Sequence, residues 1–312
     1  MSRSAKAHIL LVLVTLVWGA TFVQIKDALR DISPLLFNAV RITLAGSALA
    51  VFYRRELRTM TRGALRAGML VGIPLWLGFE FQTSGLRLTT PSKSAFITGF
   101  SVILVPVFLA LFWRKKVNLA TVLGVVVALA GLYLMTVPAG GYGSGINLES
   151  INRGDLLTLG CAVMFAFQII VMGRAMQHHR FEAVATVEAI TCAALMFATV
   201  PVIEHPHAIW SSRVIWAILV TGLLGTGAAF TIQAWAQQFT PPTHTALIFL
   251  LEPVFAWITS YIVLHERLGL RAGVGAMMIL AGIIVSELGG SQQELKAEVG
   301  EESSELRVPS SE

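Results

Sequence analysis

Apolar residues run along this chain in blocks of ~18 to 24, from His8 to Leu288, with short polar breaks between them. A block of that length crosses a bilayer as a helix, at about 1.5 Å per residue over about 30 Å of hydrocarbon. The pattern predicts helices at roughly 8–26, 34–53, 67–86, 94–113, 118–137, 155–173, 183–203, 214–238, 243–264 and 270–288. The runs are continuous, whereas an outer-membrane barrel needs ~10-residue alternating segments. The breaks carry helix-opening chemistry: Asp31, Ser33 and Pro34 before the second block, Thr90 and Pro91 before the fourth, Pro241 and Pro242 before the ninth. Proline suits a first helical turn, where its missing N–H has no partner to lose. Pro138 and the run from Ala139 to Gly145 form the longest break.

The predicted fold class is an all-α membrane protein. Its organisation divides into a first repeat at 1–138, a glycine-rich linker at 139–153, a second repeat at 154–290 and an acidic, disordered tail at 291–312. Composition agrees. Of the 312 residues 55% are apolar and 13% charged, against about a quarter charged in a soluble domain. That excludes a soluble enzyme and a nucleic-acid-binding domain.

The net charge of +5 divides unevenly: the tail holds six acids and two bases, so the remainder is +9. With the N-terminus inside, the inner loops hold twelve Lys and Arg, against eight in the outer loops. The positive-inside rule therefore puts both termini in the cytoplasm, and the continuous helical blocks fit the inner, or plasma, membrane rather than an outer-membrane barrel. The first block follows Arg3 and Lys6 but has no A-x-A-like cleavage site, so it is read as an uncleaved first helix. Cys161 and Cys192 fall inside blocks and are read as free thiols.

The halves resemble each other. TTPSKSAFI at 89–97 matches TPPTHTALI at 240–248, an offset of 151. The same offset pairs Gly124 with Gly275, Gly131 with Gly282 and Gln82 with Gln233. An offset of 147 pairs Trp18 with Phe165 and Arg41 with Glu188. Five helices therefore repeat as five. Because five is odd, the second copy enters the membrane from the opposite side, giving ten transmembrane helices as two inverted five-helix repeats. Such repeats put a substrate site near the midplane between them.

Several stretches carry a family likeness. They are Trp18-Gly19-Ala20-Thr21-Phe22 with Lys26 and Arg41, then Ser94 to Gly99 running to Val105-Pro106, and Glu252-Pro253-Val254-Phe255-Ala256 followed by His265-Glu266-Arg267-Leu268, Gly275 and Gly282. In this order the chain resembles the drug/metabolite transporter superfamily, specifically its EamA-type members, over ~280 residues. Lys115-Lys116 stands where the second copy has Glu266-Arg267, and Pro106 falls a turn later than Pro253 predicts. The resemblance implies export of amino acids or related metabolites.

Ionisable groups deep in a span cost about 2.5 to 3.5 kcal/mol on insertion scales, so each needs a reason. Arg41 and Glu80 lie at similar depths on consecutive helices, which suggests an ion pair or gate. Glu188 marks the related point on the other side. Snorkelling toward the interface is the alternative for Arg41, Glu80 and Glu188. Glu252 lies near the midplane beside Pro253, as a substrate or proton site or as a structural hydrogen bond. The expected lining of a central cavity is Trp18, Phe22, Gln82, Phe96, Phe165, Gln168, Gln233, Trp235, Phe249 and Glu252. Rings on a span can equally pack against lipid.

The sequence has no phosphate-binding G-x-x-x-x-G-K-[ST] loop, no metal-ligand cluster and no catalytic constellation. The function expected is a secondary transporter of small organic metabolites, not an enzyme, without metal or cofactor. Its partners are a small-molecule substrate and the lipid bilayer, not nucleic acid, and a homodimer stays open. A membrane scaffold or sensor, or an intramembrane enzyme, are the competing classes.

Overall fold

A computed structural model describes residues 2–86, 88, 97–114, 117–136, 152–264 and 270–286. Ser2 opens α1 (Arg3–Ala28), its hydroxyl accepting from the Ala5 N–H. α2 (Pro34–Phe52) starts on its proline, as the break chemistry predicts. A short helix, Arg54–Arg58, leads into α3 (Arg62–Leu86). α4 (Ser101–Trp113) is followed by α5 (Leu119–Thr136). α6 (Arg153–Ala175) opens with a reciprocal cap: Asn152 accepts from the Asp155 N–H, and Asp155 accepts from the Asn152 N–H. α7 is Phe181–Ile203, and α8, Ser212–Ala236, contains a π-turn at Leu223–Ala228. α9 comes in two pieces, Pro242–Phe249 and Leu251–Leu264, and α10 is Leu270–Ser286.

Among the described residues there is no strand, only an isolated bridge between Ile32 and Ala208. Among the described residues six helices are long and apolar enough to cross a membrane: α1, α2, α3, α6, α7 and α8. Shorter apolar helices make up the rest. α1 and α3 begin about five residues before their apolar blocks, because a first turn can be polar where it leaves the bilayer. The ninth predicted helix is broken at Leu250 rather than continuous. Residues 89–96, 139–151, 265–269 and 291–312 lie outside the described residues, and with them most of the expected linker and all of the expected tail. Large apolar side chains such as Leu13, Leu70, Val202, Trp216 and Met277 point outward. Helices with apolar outer faces belong in lipid.

Two pairs of glycines hold α5 against α10. A Cβ on Gly124 would lie 2.5 Å from the Gly282 carbonyl oxygen, and one on Gly131 would lie 2.5 Å from that of Gly275. Rising numbers on α5 meet falling numbers on α10, so the helices run antiparallel. The repeat pairs Gly124 with Gly275 and Gly131 with Gly282. Exchanging each glycine for its mate turns one contact into the other, as a two-fold axis requires.

A second pair of contacts obeys the same exchange. Gly72 of α3 presses on the Glu188 carbonyl of α7, and Gly222 of α8 presses on the Arg41 carbonyl of α2, at 2.8 and 2.9 Å from a built Cβ. Arg41 and Glu188 are repeat mates, and Gly72 and Gly222 stand 150 residues apart.

The halves are also clasped at one end. The Ser33 N–H donates to the His207 carbonyl at 2.9 Å, and the Ile209 N–H to that of Asp31 at 2.7 Å. Ser211 donates to the Asp31 carboxylate at 2.6 Å, and Arg213 pairs with Asp27 at 3.2 Å. Glu204, just past α7, accepts from the Leu35 and Leu36 N–H groups at 3.0 and 3.4 Å. A carboxylate there satisfies free donors and complements the dipole of α2.

Candidate functional site

Where the halves meet, aromatic rings form a continuous row. Phe165 of α6 meets Phe79 of α3 with centroids 5.7 Å apart. Phe79 meets Phe230 of α8 at 6.3 Å, Phe230 meets Trp18 of α1 at 5.7 Å, and Trp18 meets Phe249 of α9 at 4.9 Å. Gly78 makes room for the Phe165 ring, since a Cβ there would overlap it. The Trp18 indole N–H donates to the Gly225 carbonyl at 2.7 Å, inside the π-turn. A π-turn disturbs the regular carbonyl partners of a helix, and here a ring from the other half satisfies one of them.

Arg41 flanks this row at Phe79. It is 8% exposed, and its guanidinium stands 4.8 Å above the Phe79 ring and 5.8 Å from that of Phe37. The expected ion pair with Glu80 is absent. Glu80 Oε1 instead accepts from the Thr199 hydroxyl at 2.5 Å and from the Trp76 indole at 3.3 Å. Each charge has other companions, two ring faces for Arg41 and two donors for Glu80.

Glu188 is fully buried and heads a polar chain. Gln168 of α6 donates to Glu188 at 2.7 Å, and Gln233 of α8 donates to Gln168 at 3.1 Å and to Gln237 at 3.2 Å. Gln237 donates onward to the Ile169 carbonyl at 2.9 Å. Buried amides need such partners. Gln82, the repeat mate of Gln233, is half-buried and does not join the chain.

Glu252 is half-buried just past the break in α9, where its carbonyl and Phe255 pack on Gly19 of α1. Its carboxylate makes no hydrogen bond to a neighbouring helix among the described residues.

Trp235 is not brought to this centre. It packs on Phe239, with the Lys6 ammonium 5.5 Å from its ring. It follows Gln233 by two residues, about 200° round the helix, so the two cannot face the same way. Phe96 lies outside the described residues, and of Phe22 only the helical backbone is described. Phe79 and Phe230 were not among the expected lining, yet the offset of 151 that matches Gln82 to Gln233 also matches them. Two surface grooves, over Val51 to Glu56 and over Phe81, Leu88 and Arg153, lie away from the centre.

Paired halves around a buried aromatic and polar centre are the architecture of a multi-pass membrane transporter. Both halves match the EamA-like transporter family, at residues 5–137 and 152–288. The chain belongs to that family. An uncharacterized transporter of Archaeoglobus fulgidus is 32% identical over 285 residues, 89% of this chain and 84% of that one. The uncharacterized transporter YoaV of Bacillus subtilis is 24% identical, over 88% and 94% of the two chains. A chloroplastic WAT1-related protein of Arabidopsis thaliana is 24% identical, over 85% of this chain and 66% of its own. One solved crystal structure superposes with a TM-score of 0.76 at 18% identity, covering 93% of this chain and 99% of that one, which is a likeness of fold.

Proposed function

We propose that this protein is a secondary transporter that exports small organic metabolites, amino acids or related compounds, across the inner membrane by alternating access. In this reading ten helices span the bilayer, as inverted repeats with both termini in the cytoplasm. The observation that carries it is the exchange symmetry of the contacts between the halves. Two half-bodies joined about such an axis can rock against each other and open a shared centre to either side in turn. The shared centre is the row Phe165, Phe79, Phe230, Trp18 and Phe249, bordered by Gln168, Gln233 and Glu252. A mostly apolar surface with a few amides and charges suits small amphipathic solutes.

The test compares the medium of overexpressing and deletion cells by mass spectrometry, followed by flux of the enriched compound in proteoliposomes. Accumulation of a small organic compound on overexpression, reproduced as flux by the purified protein, is the expected result. Identical media and no flux would leave a scaffold or sensor as the better account.

A further inference from the structure

The buried guanidinium of Arg41 has no anion of its own. It is more than nine-tenths buried, its Nε has no hydrogen-bond partner, and no carboxylate of the described residues pairs with it. Two ring faces are its companions. A ring face attracts a cation, but it leaves the N–H donors of the guanidinium fork unfilled. A buried cation without a hydrogen-bonded partner is costly, and an arginine fork matches a carboxylate in two parallel bonds. The ring that flanks it, Phe79, belongs to the aromatic row at the junction of the halves. A charged fork and an apolar wall thus adjoin at a single point.

We propose that Arg41 receives the carboxylate of a transported solute whose apolar body lies on the Phe79, Phe165 and Phe230 rings. This rests on the transport reading above and adds the ligand group and its receiver. Glu80 and Glu188 do not compete for the guanidinium, because Thr199 and Trp76 hold one and Gln168 holds the other. Each still has one buried oxygen without a partner, Glu80 Oε2 and Glu188 Oε2. Those oxygens can receive an ammonium when the solute is a zwitterion. The ligand class is therefore an apolar carboxylate, either a simple anion or an amino acid. Arg41 is its anchor rather than half of a gate.

The test is calorimetric titration of the full-length protein in nanodiscs with 3-phenylpropionate, L-phenylalanine, phenethylamine and acetate. The two apolar carboxylates should bind more tightly than the amine, which lacks the carboxylate, and than acetate, which lacks the body. Arg41→Gln should weaken the carboxylates by about 10- to 100-fold, the range for losing a charge-assisted hydrogen bond. It should move the melting temperature little, since the two ring contacts it loses are offset by relief of a buried charge that has no hydrogen-bonded anion. If Arg41→Gln fails to fold, Arg41→Lys carries the test: it keeps the charge but loses the fork, so affinity should fall at unchanged melting temperature.

Tighter binding of either carboxylate over the other supports the site and tells which class fills it. Binding of neither carboxylate, equal binding of phenethylamine, or unchanged affinity in the variant overturns it. Flux separates the two readings. Carboxylate binding without flux sinks export and keeps the site, and carboxylate flux at the wild-type rate in Arg41→Gln keeps export and sinks the site.

Discussion

Phe79 and Phe230 face each other with ring centroids 6.3 Å apart and planes at 82°. They are 151 residues apart, so each is the other's counterpart. Each also touches a ring of the opposite half, Phe79 that of Phe165 and Phe230 that of Trp18, both at 5.7 Å. Phe165 and Trp18 are themselves mates. The four rings therefore obey the exchange that the glycines obey.

The two rings differ in one contact, because Phe79 also carries the Arg41 guanidinium. Phe79→Leu should therefore destabilise the purified protein more than Phe230→Leu, by about 0.5 to 2 kcal/mol. The double variant should reveal a coupling of about 0.5 to 1.5 kcal/mol, the value of an edge-to-face pair beyond its buried area. Chemical unfolding in detergent, read by tryptophan fluorescence, measures the cycle. Additive penalties would mean that the rings do not support each other.

The glycines of α5 and α10 should tolerate nothing larger. Gly124→Ala and Gly131→Ala each push a methyl group into a backbone carbonyl, which cannot swing aside as a side chain can. Each should cost about 1 to 3 kcal/mol. Gly225→Ala is the control, because its nearest neighbours would be 3.8 and 4.0 Å away, and it should stay within about 0.5 kcal/mol of the parent. Melting temperatures in one detergent rank the three, and a control as costly as the others would refute the close-approach account.

Glu80 should answer to Thr199 rather than to Arg41. Thr199→Val removes a hydrogen bond to a 5%-exposed carboxylate and should cost about 1 to 3 kcal/mol. In double-mutant cycles, Glu80→Gln should couple to Thr199→Val by more than to Arg41→Gln. A stronger coupling to Arg41 would restore the ion pair that depth alone suggests.

The helices and the glycine seams were legible in the sequence because both are properties of a single strand of text. A run of apolar residues has a length, and glycines seven apart share a face whatever lies opposite. The companions of Arg41 were not legible. Depth can be counted along a helix, but which neighbour a side chain meets depends on how two helices are rotated against each other. Arg41 and Glu80 have similar depths and different facings, so the inferred pair fails. Trp235 fails for the same reason, two residues round from Gln233. Phe79 and Phe230 were within reach, since the repeat offset pairs them, but phenylalanines in apolar helices do not stand out as amides do.

The π-turn at Leu223–Ala228 lets the halves differ in length and stay in phase. Ten residues separate Gly72 from Gln82, and eleven separate Gly222 from Gln233. In an unbroken α-helix the surplus residue would turn everything beyond it by about 100° and shift it by about 1.5 Å. Phe230 would then look away from Phe79, and Gln233 away from Gln168. The wider turn takes up the surplus before Ala229, and α8 resumes the angular register of α3. Two copies of unequal length can thus keep the rings between them seated.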